Sequence, residues 1–328
     1  MTEVFPAIYS TLSPQVLIER VLSNYDLGAI TKCLLWNRGL SDIYLVQTYN
    51  TSYILKISHH HWRTKTEIQF ELELLDFLHY HRLPVAYPIS TSDGKLSVTI
   101  HALEGERYAA LFPYAPGSVA IGDFTPTQSQ ILGSTLSKLH KTSLKLKTTI
   151  PRQPLNLQYL LQDSLETIRP YLQHRTEDCQ YLQTAIANIE HKLSLLPQKA
   201  PYWSVCWGDP HSGNVHFTSD NQLTLFDFDQ CGYGWRAFDL AKFLQVSLGA
   251  GIARNIRDAF FAGYQTIEPL SELEMNSLQA LTQTAHIWSW AICINSTIIH
   301  NWSRLDDRFF TKRLERLKRL NSKDWQLF

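Results

Sequence analysis

Trp207-Gly208-Asp209-Pro210-His211-Ser212-Gly213-Asn214, followed by Leu225-Phe226-Asp227-Phe228-Asp229, is the stretch on which the reading of this chain turns. An acidic residue and an amide stand five positions apart in a polar turn, and Asp227 follows Asp209 by 18 positions. The apolar run Leu223-Thr224-Leu225-Phe226 reads as a short strand. Asp227 and Asp229 are read as lying on that strand and, two apart, facing the same side of it. Carboxylates and an amide oxygen are hard ligands of the kind Mg²⁺ takes together with substrate phosphates. A further carboxylate can orient a hydroxyl and accept its proton. The plainer alternative is a hydrogen-bonded turn beside a surface strand. Either half of the pattern alone favours that alternative.

Composition bounds what lies around this stretch. At about 150 residues per domain, 328 residues suggest two domains or lobes. With 44% hydrophobic and 18% charged residues, the chain suits a packed globular protein. Thirty basic and thirty acidic side chains cancel, which argues against nucleic acid as the main ligand, since phosphate binding draws on a basic surplus. Five cysteines are scattered without a C-x-x-C pair, as expected of reduced thiols in a cytoplasmic protein. No apolar run approaches the ~18 residues that would span a bilayer. The opening Met1–Pro6 lacks the basic flank and apolar stretch of a signal peptide.

Upstream of the decisive stretch the texture is strand-rich from about Lys32 to Phe112. Cys33–Trp36 is a short apolar run; Ile43–Tyr49 and Ser52–Ile57 flank a polar link and read as a hairpin. Thr64–His81 is expected to be helical, with Ile68, Leu72, Leu75 and Leu78 three or four apart. Leu96–Ile100 and Tyr108–Phe112 read as further strands, and Pro113-Tyr114-Ala115-Pro116-Gly117 as a linker. Thr125-Pro126 signals a helix start, continued by Ile131, Leu132, Leu136 and Leu139. More helices are expected over 155–196. Trp203–Cys206 is a second short strand, and the chain after Phe238 reads as helical, interrupted at Gly249–Gly251 and Pro269.

Together the two halves, D-x-H-x-x-N and then D-F-D after a hydrophobic strand, resemble the aminoglycoside phosphotransferase/choline kinase superfamily, relatives of protein kinases. The resemblance extends over about residues 30–290. It implies a bilobal α+β protein-kinase-like fold: an antiparallel-sheet N-lobe over 1–112, a hinge at 113–117 and a larger helical C-lobe over 118–328. It also implies ATP- and Mg²⁺-dependent transfer of a phosphoryl group to a hydroxyl of a small molecule, an aminoglycoside-, choline- or homoserine-like acceptor. By position, Asp209 matches the catalytic base, and Asn214 and Asp227 match the metal ligands. Asp229 matches a variable acidic position, and Asp239 matches a residue that braces the catalytic loop. Lys56, in Tyr53-Ile54-Leu55-Lys56-Ile57, matches the phosphate-contacting strand lysine, with Glu71 as its helix partner and Glu67 as runner-up; Glu73 would lie about 200° round the helix from Glu71. Gly39 and Ser41, in Arg38-Gly39-Leu40-Ser41-Asp42, stand where the phosphate-covering turn belongs, although a plain hairpin turn fits equally well. At the hinge, Phe112 would guard the back of the adenine pocket, Pro113 would supply a carbonyl and Ala115 an N–H; proline lacks only the donor. One departure is Trp207, where the family usually has histidine before Gly-Asp; altered packing is expected there rather than lost catalysis.

Other features have simpler readings. His59-His60-His61, His79 and His81 lack a structural-zinc spacing and read as a solvated loop and a helix end. Cys206, His211 and His216 fit as neighbours of the catalytic loop. His286, Trp288, Trp290 and Trp302 read as core, with an aromatic cradle for a cationic acceptor as the alternative. The basic run Lys312–Arg319 reads as a solvated helix, with anion or membrane-surface contact as the lesser alternative. Two rivals to the small-molecule reading stand: a protein Ser/Thr kinase of the bacterial stress-response type, and a nucleotide-binding regulator without transfer activity. Acceptor identity, ATP against GTP and oligomeric state do not follow from the sequence.

Overall fold

Strand-forming runs rich in β-branched and aromatic residues alternate with short polar links over the first third of the chain, and an antiparallel sheet forms there. The computed structural model describes residues 7–120, 124–299 and 305–327. The chain divides into two compact units, the first running to Ala115 and reclaiming Thr148–Pro151, the second holding the remainder. The return of Thr148–Pro151 departs from a simple cut at the linker. Its basis is visible: Thr148 Oγ1 donates to Glu73 Oε2 at 2.9 Å.

In the first unit α1 (Pro14–Arg20) precedes β1 (Ile30–Arg38), β2 (Ser41–Thr48) and β3 (Ser52–Ser58). Then come α2 (Lys65–Tyr80), β4 (Val98–Ala102) and β5 (Gly105–Pro113). The sheet order is β1-β2-β3-β5-β4, antiparallel throughout. Register sorts the side chains: Tyr44, Leu55 and Leu111 lie opposite one another and pack with Leu17 and Leu22 into one core. The alternate face carries Ser41, Ile43, Lys56, Ala110 and Phe112. α2 begins at a reciprocal cap in which Glu67 N–H donates to Thr64 Oγ1 and Thr64 N–H to Glu67 Oε2.

The second unit contains β6 (Ser118–Val119), α3 (Pro126–Ser143), α4 (Asp163–Ile168) and α5 (Thr176–Leu193). β7 (Trp203–Cys206), β8 (Val215–Phe217), β9 (Leu223–Leu225) and β10 (Gly232–Trp235) follow. α6 (Arg236–Ala250), α7 (Arg254–Gln265), α8 (Glu272–Ile299) and α9 (Asp307–Leu320) complete it. β7 pairs with β10, and β6-β8-β9 form a three-stranded sheet. α3 opens at Thr125 with Pro126 in its first turn and crosses α7 closely. A Cβ on Gly133 would lie 2.0 Å from the Phe260 carbonyl, and one on Gly263 2.0 Å from that of Gln130. The main core joins α4, α5, α6, α8 and α9 through Leu165, Ile186, Phe238, Trp288, Trp290 and Leu314.

Three expectations need correction. The strand through Leu225 ends before Asp227, whose backbone is left-handed (φ 56°), so Asp227 and Asp229 do not share a strand face. Asp227 is exposed and Asp229 buried. His59 is buried, not solvated: its Nε2 lies 3.6 Å from Asp42 Oδ1. β10 was not anticipated, because Gly232 and Gly234 weaken the strand signal; here they admit the chain at Gln153 and Leu155, which a Cβ would meet at 2.8 and 2.9 Å.

Candidate active site

Asp209 sits just beyond β7, in a turn that two other segments hold in place. The first is the start of α6. Asp239 is fully buried and accepts from the N–H groups of Trp207 at 2.7 Å and Gly208 at 2.8 Å. His140 Nε2 lies 2.9 Å from the same carboxylate, and its other nitrogen 2.8 Å from the Tyr264 hydroxyl. The second is the Asp227 segment. The Trp207 indole donates to the Asp227 carbonyl at 3.1 Å and stacks on Phe228, 5.5 Å between ring centres. Trp207 is therefore a buried strut between the two halves of the motif. Gly208 has φ 87°, and a Cβ there would lie 2.2 Å from the Gln230 carbonyl, so glycine is required on both counts.

The Asp209 carboxylate is about a quarter exposed and has three neighbours. Lys242 Nζ lies 3.3 Å from Oδ1, His211 Nε2 3.3 Å from Oδ2, and Asn214 Nδ2 donates to Oδ2 at 3.3 Å. Asn214 Nδ2 also donates to the Asp209 carbonyl at 3.1 Å. Burial would raise the Asp209 pKa, but the Lys242 charge and the His211 contact prevail and hold the carboxyl well below the usual range. Lys242, from α6, is itself buried; its ammonium donates to Ser289 Oγ at 2.6 Å and lies 5.7 Å from the centre of the Trp288 ring. The motif reading did not include Lys242. Its signal was available: it follows Asp239 by three positions on a helix, so both face the same turn.

The donors expected to hold a divalent cation have suitable chemistry. With its amide nitrogen spent on Asp209, Asn214 directs its oxygen elsewhere. The Phe226 N–H donates to the Asn214 carbonyl at 3.1 Å, which ties the Asp227 segment to the same loop. An amide oxygen and an exposed carboxylate are ligands that fit Mg²⁺. Asp229 turns inward, with Gln230 Nε2 at 3.3 Å, and Arg152 donates to its carbonyl. A second cluster within ligating distance, His140, Cys206 and Asp239, does not fit a metal. His140 and Asp239 are already engaged, and burial raises the Cys206 thiol well above its ordinary pKa, away from the thiolate a metal takes.

In the first unit Lys56 Nζ donates to Glu71 Oε1 at 2.9 Å, both side chains largely buried. The runner-up Glu67 is committed instead to the Thr64 cap and to Arg63 at 3.3 Å. Ser41 is buried at the start of β2, on the Lys56 face. Gly39 is exposed, and its N–H donates to the Ser41 carbonyl at 3.0 Å, which closes the turn. Phe112 is buried on β5 opposite Ile54, Pro113 ends that strand opposite Tyr53, and Ala115 is buried beyond it. His286, Trp288 and Trp290 are buried, so the two rings belong to the core and offer no open face; Trp302 lies outside the described residues. No helix among the described residues is long and apolar enough to cross a membrane.

Comparison with known proteins agrees with this geometry. Residues 35–274 match the family described as phosphotransferase enzyme family. An uncharacterized protein of Synechocystis sp. is 56% identical over 326 residues, covering 99% of this chain and 90% of that protein. A homoserine kinase of Polaromonas naphthalenivorans is 26% identical, covering 75% of this chain and 76% of its own. Among solved structures, an amicoumacin kinase bound to AMP-PNP, Ca²⁺ and amicoumacin superposes with a TM-score of 0.78 at 19% identity, over 94% of this chain and 93% of the other. The last likeness establishes a kinase-like fold. With a family match over residues 35–274, most of its length, the chain belongs to the phosphotransferase enzyme family and is an enzyme of that class.

Proposed function

We propose that the protein is a small-molecule kinase that transfers the γ-phosphoryl group of ATP to an acceptor hydroxyl. The observation that carries the reading is the Asp209 carboxylate, kept ionised by Lys242 and His211 and oriented by Asn214. The acceptor oxygen forms the new bond to phosphorus while the bond from phosphorus to the β,γ-bridging oxygen breaks, releasing ADP. Asp209 orients the hydroxyl and takes its proton. A carboxylate of such low basicity accepts that proton only late, as the bond to phosphorus forms, which suits the loose transition state of phosphoryl transfer. Lys56, steadied by Glu71, neutralises phosphate charge. Asn214 and Asp227 would hold Mg²⁺, which supplies charge neutralisation across the nucleotide phosphates. Pro113 and Ala115 are assigned to adenine, and Gly39 and Ser41 to the phosphate side through the turn they shape. The domain assignment proposed with this is a nucleotide-binding lobe over 1–112, a hinge at 113–117 and an acceptor-binding lobe beyond.

Homoserine kinases among the relatives support a compact amino alcohol as acceptor. The burial of Trp288 and Trp290 speaks against those two rings forming an aromatic cage for a quaternary amine. The test is a mass-spectrometric screen with ATP, Mg²⁺ and pooled hydroxylated metabolites, homoserine and amino alcohols among them. A phosphate mass shift in one acceptor is expected, falling about 10²–10⁴-fold in Asp209→Ala. Equal turnover in the variant would remove Asp209 from the mechanism. Phosphate appearing on protein and on no small molecule would favour the protein-kinase rival.

A further inference from the structure

α9 concentrates charge in a chain that has none overall. Its fourteen residues carry Arg308, Lys312, Arg313, Arg316, Lys318 and Arg319 against Asp307 and Glu315. The helix is docked by Phe310, Leu314, Leu317 and Leu320, all buried. Lys312, Arg316 and Arg319 are spaced four and three apart, so they form a second stripe beside the docked face. That stripe lines a half-open cavity of about 250 Å³, bordered also by Gly249, at the end of α6, and by Trp325.

Arg316 is built into the wall. One guanidinium nitrogen donates to the Gln245 carbonyl at 2.7 Å. The guanidinium lies over Gly249, where a Cβ would come within 1.8 Å of it, so this arrangement requires the absence of a side chain there. Among the described residues no carboxylate lies within 4.0 Å of Lys312, Arg313 or Arg316, although Glu315 borders the same cavity. Burial and the Arg313 charge push the Arg316 pKa down, so the cation is held where it is poorly compensated. A half-buried guanidinium without an anion costs desolvation free energy that a bound anion recovers. A planar fork presented to a cavity is suited to the oxygens of a phosphate group. At about 30 Å³ per water, the space accommodates a phosphate bearing a small organic body.

We propose that the cavity between α9 and the end of α6 is a binding site for a compact phosphate-bearing anion, separate from the Asp209 site. The probe is inorganic phosphate, titrated against the full-length protein at ionic strength matched with sodium chloride and followed by thermal unfolding and calorimetry. Saturable stabilisation by phosphate is expected, retained in Lys56→Met and weakened about ten-fold in Lys312→Gln, the loss of one charge-assisted contact. Arg316→Gln should abolish it, but that variant also loses the bond to Gln245, so Lys312→Gln, which has no such structural bond, carries the test. Equal stabilisation by chloride would overturn the proposal, as would full phosphate affinity in Lys312→Gln. Loss of the effect in Lys56→Met would assign the phosphate to the nucleotide lobe and overturn it too. A third arm uses phosphatidylcholine vesicles with and without phosphatidylglycerol. Lys312-dependent sedimentation with the anionic vesicles, without saturable binding of free phosphate, would replace the small-anion site by a lipid surface.

Discussion

In the proposed mechanism Asp209 has to be ionised, correctly turned and partly shielded from water, and each condition has its own residue. Asn214 fixes its orientation, Asp239 fixes the loop beneath it, and Lys242 supplies the charge that keeps it deprotonated. Lys242 has no substitute within the turn itself, since His211 and Asn214 are the other groups the loop brings to the carboxylate. Lys242→Met should therefore lower kcat about 10–100-fold, an electrostatic contribution of roughly 1.4–2.7 kcal/mol, while the KM for ATP stays close to its original value. Lys242→Arg restores the charge and should recover part of kcat, although a planar guanidinium cannot reproduce the 2.6 Å bond to Ser289 in the same pose. Steady-state kinetics on the acceptor found by the screen decide this. A methionine variant with unchanged kcat would reduce Lys242 to a packing residue. Trp207 illustrates a different use of one position. A histidine there could donate one hydrogen bond, but the indole donates to the Asp227 carbonyl and also stacks on Phe228, so the strut becomes part of the core.

Elements, rather than residues, account for what the sequence reading reached and what it missed. The strands that carry Lys56 and the helix that carries Glu71 announce themselves by local pattern, and the cap at Thr64 removes Glu67 from competition. Asp209 and Asn214 share one turn, so their spacing alone is informative. Asp-Phe-Asp continues a period of two and so predicts a strand through Asp227. The chain instead takes a left-handed step there, which aspartate tolerates better than most residues. His59 and the Arg107–Asp42 pair at 2.8 Å depend on partners 17 and 65 positions away, and no local pattern encodes such meetings. The junction of α8 and α9 supplies a stability prediction of this long-range kind. His286 is fully buried on α8 and donates from Nε2 to the Arg313 carbonyl at 2.8 Å. Burial, helped by the charges of Arg313, Arg316 and Lys242, pushes its pKa down to about 3. The folded chain thus keeps this imidazole neutral while the unfolded chain protonates it below about 6.5. Stability contributed by the neutral ring is complete above that value and declines as the pH falls toward 3, by at most ~1.4 kcal/mol per pH unit. His286→Gln keeps a donor and cannot titrate. Urea midpoints measured from about pH 7 to pH 5 should fall less steeply in the variant than in the parent; parallel slopes would show that His286 titrates normally in the fold.

At the scale of the whole molecule, the two sets of side chains in the proposed mechanism belong to different compact units: Lys56 and Glu71 to the first, Asp209, Asn214, Asp227 and Lys242 to the second. Each set is stabilised by contacts within its own unit. Lys56 is held by α2 and its sheet neighbours, and Asp209 by α6 and the β7 turn. Damage to one set should therefore leave the other intact, and binding and transfer should separate by mutation. In the proposed kinase, Lys56→Met removes a charge that faces nucleotide phosphate and breaks the 2.9 Å contact with Glu71. It should raise the Kd for a fluorescent ATP analogue about ten-fold or more and depress turnover as well. Asp209→Ala removes the group that orients the acceptor and should leave that Kd within about two-fold, a change of ~0.4 kcal/mol, while turnover collapses. Equilibrium titration with the analogue in the presence of Mg²⁺, run beside the turnover assay on both variants, reads the two effects separately. If Asp209→Ala weakened nucleotide binding as much as Lys56→Met does, Asp209 would be acting on the nucleotide or its metal rather than on the acceptor. The division of labour between the units would then have to be redrawn around Asn214 and Asp227 alone.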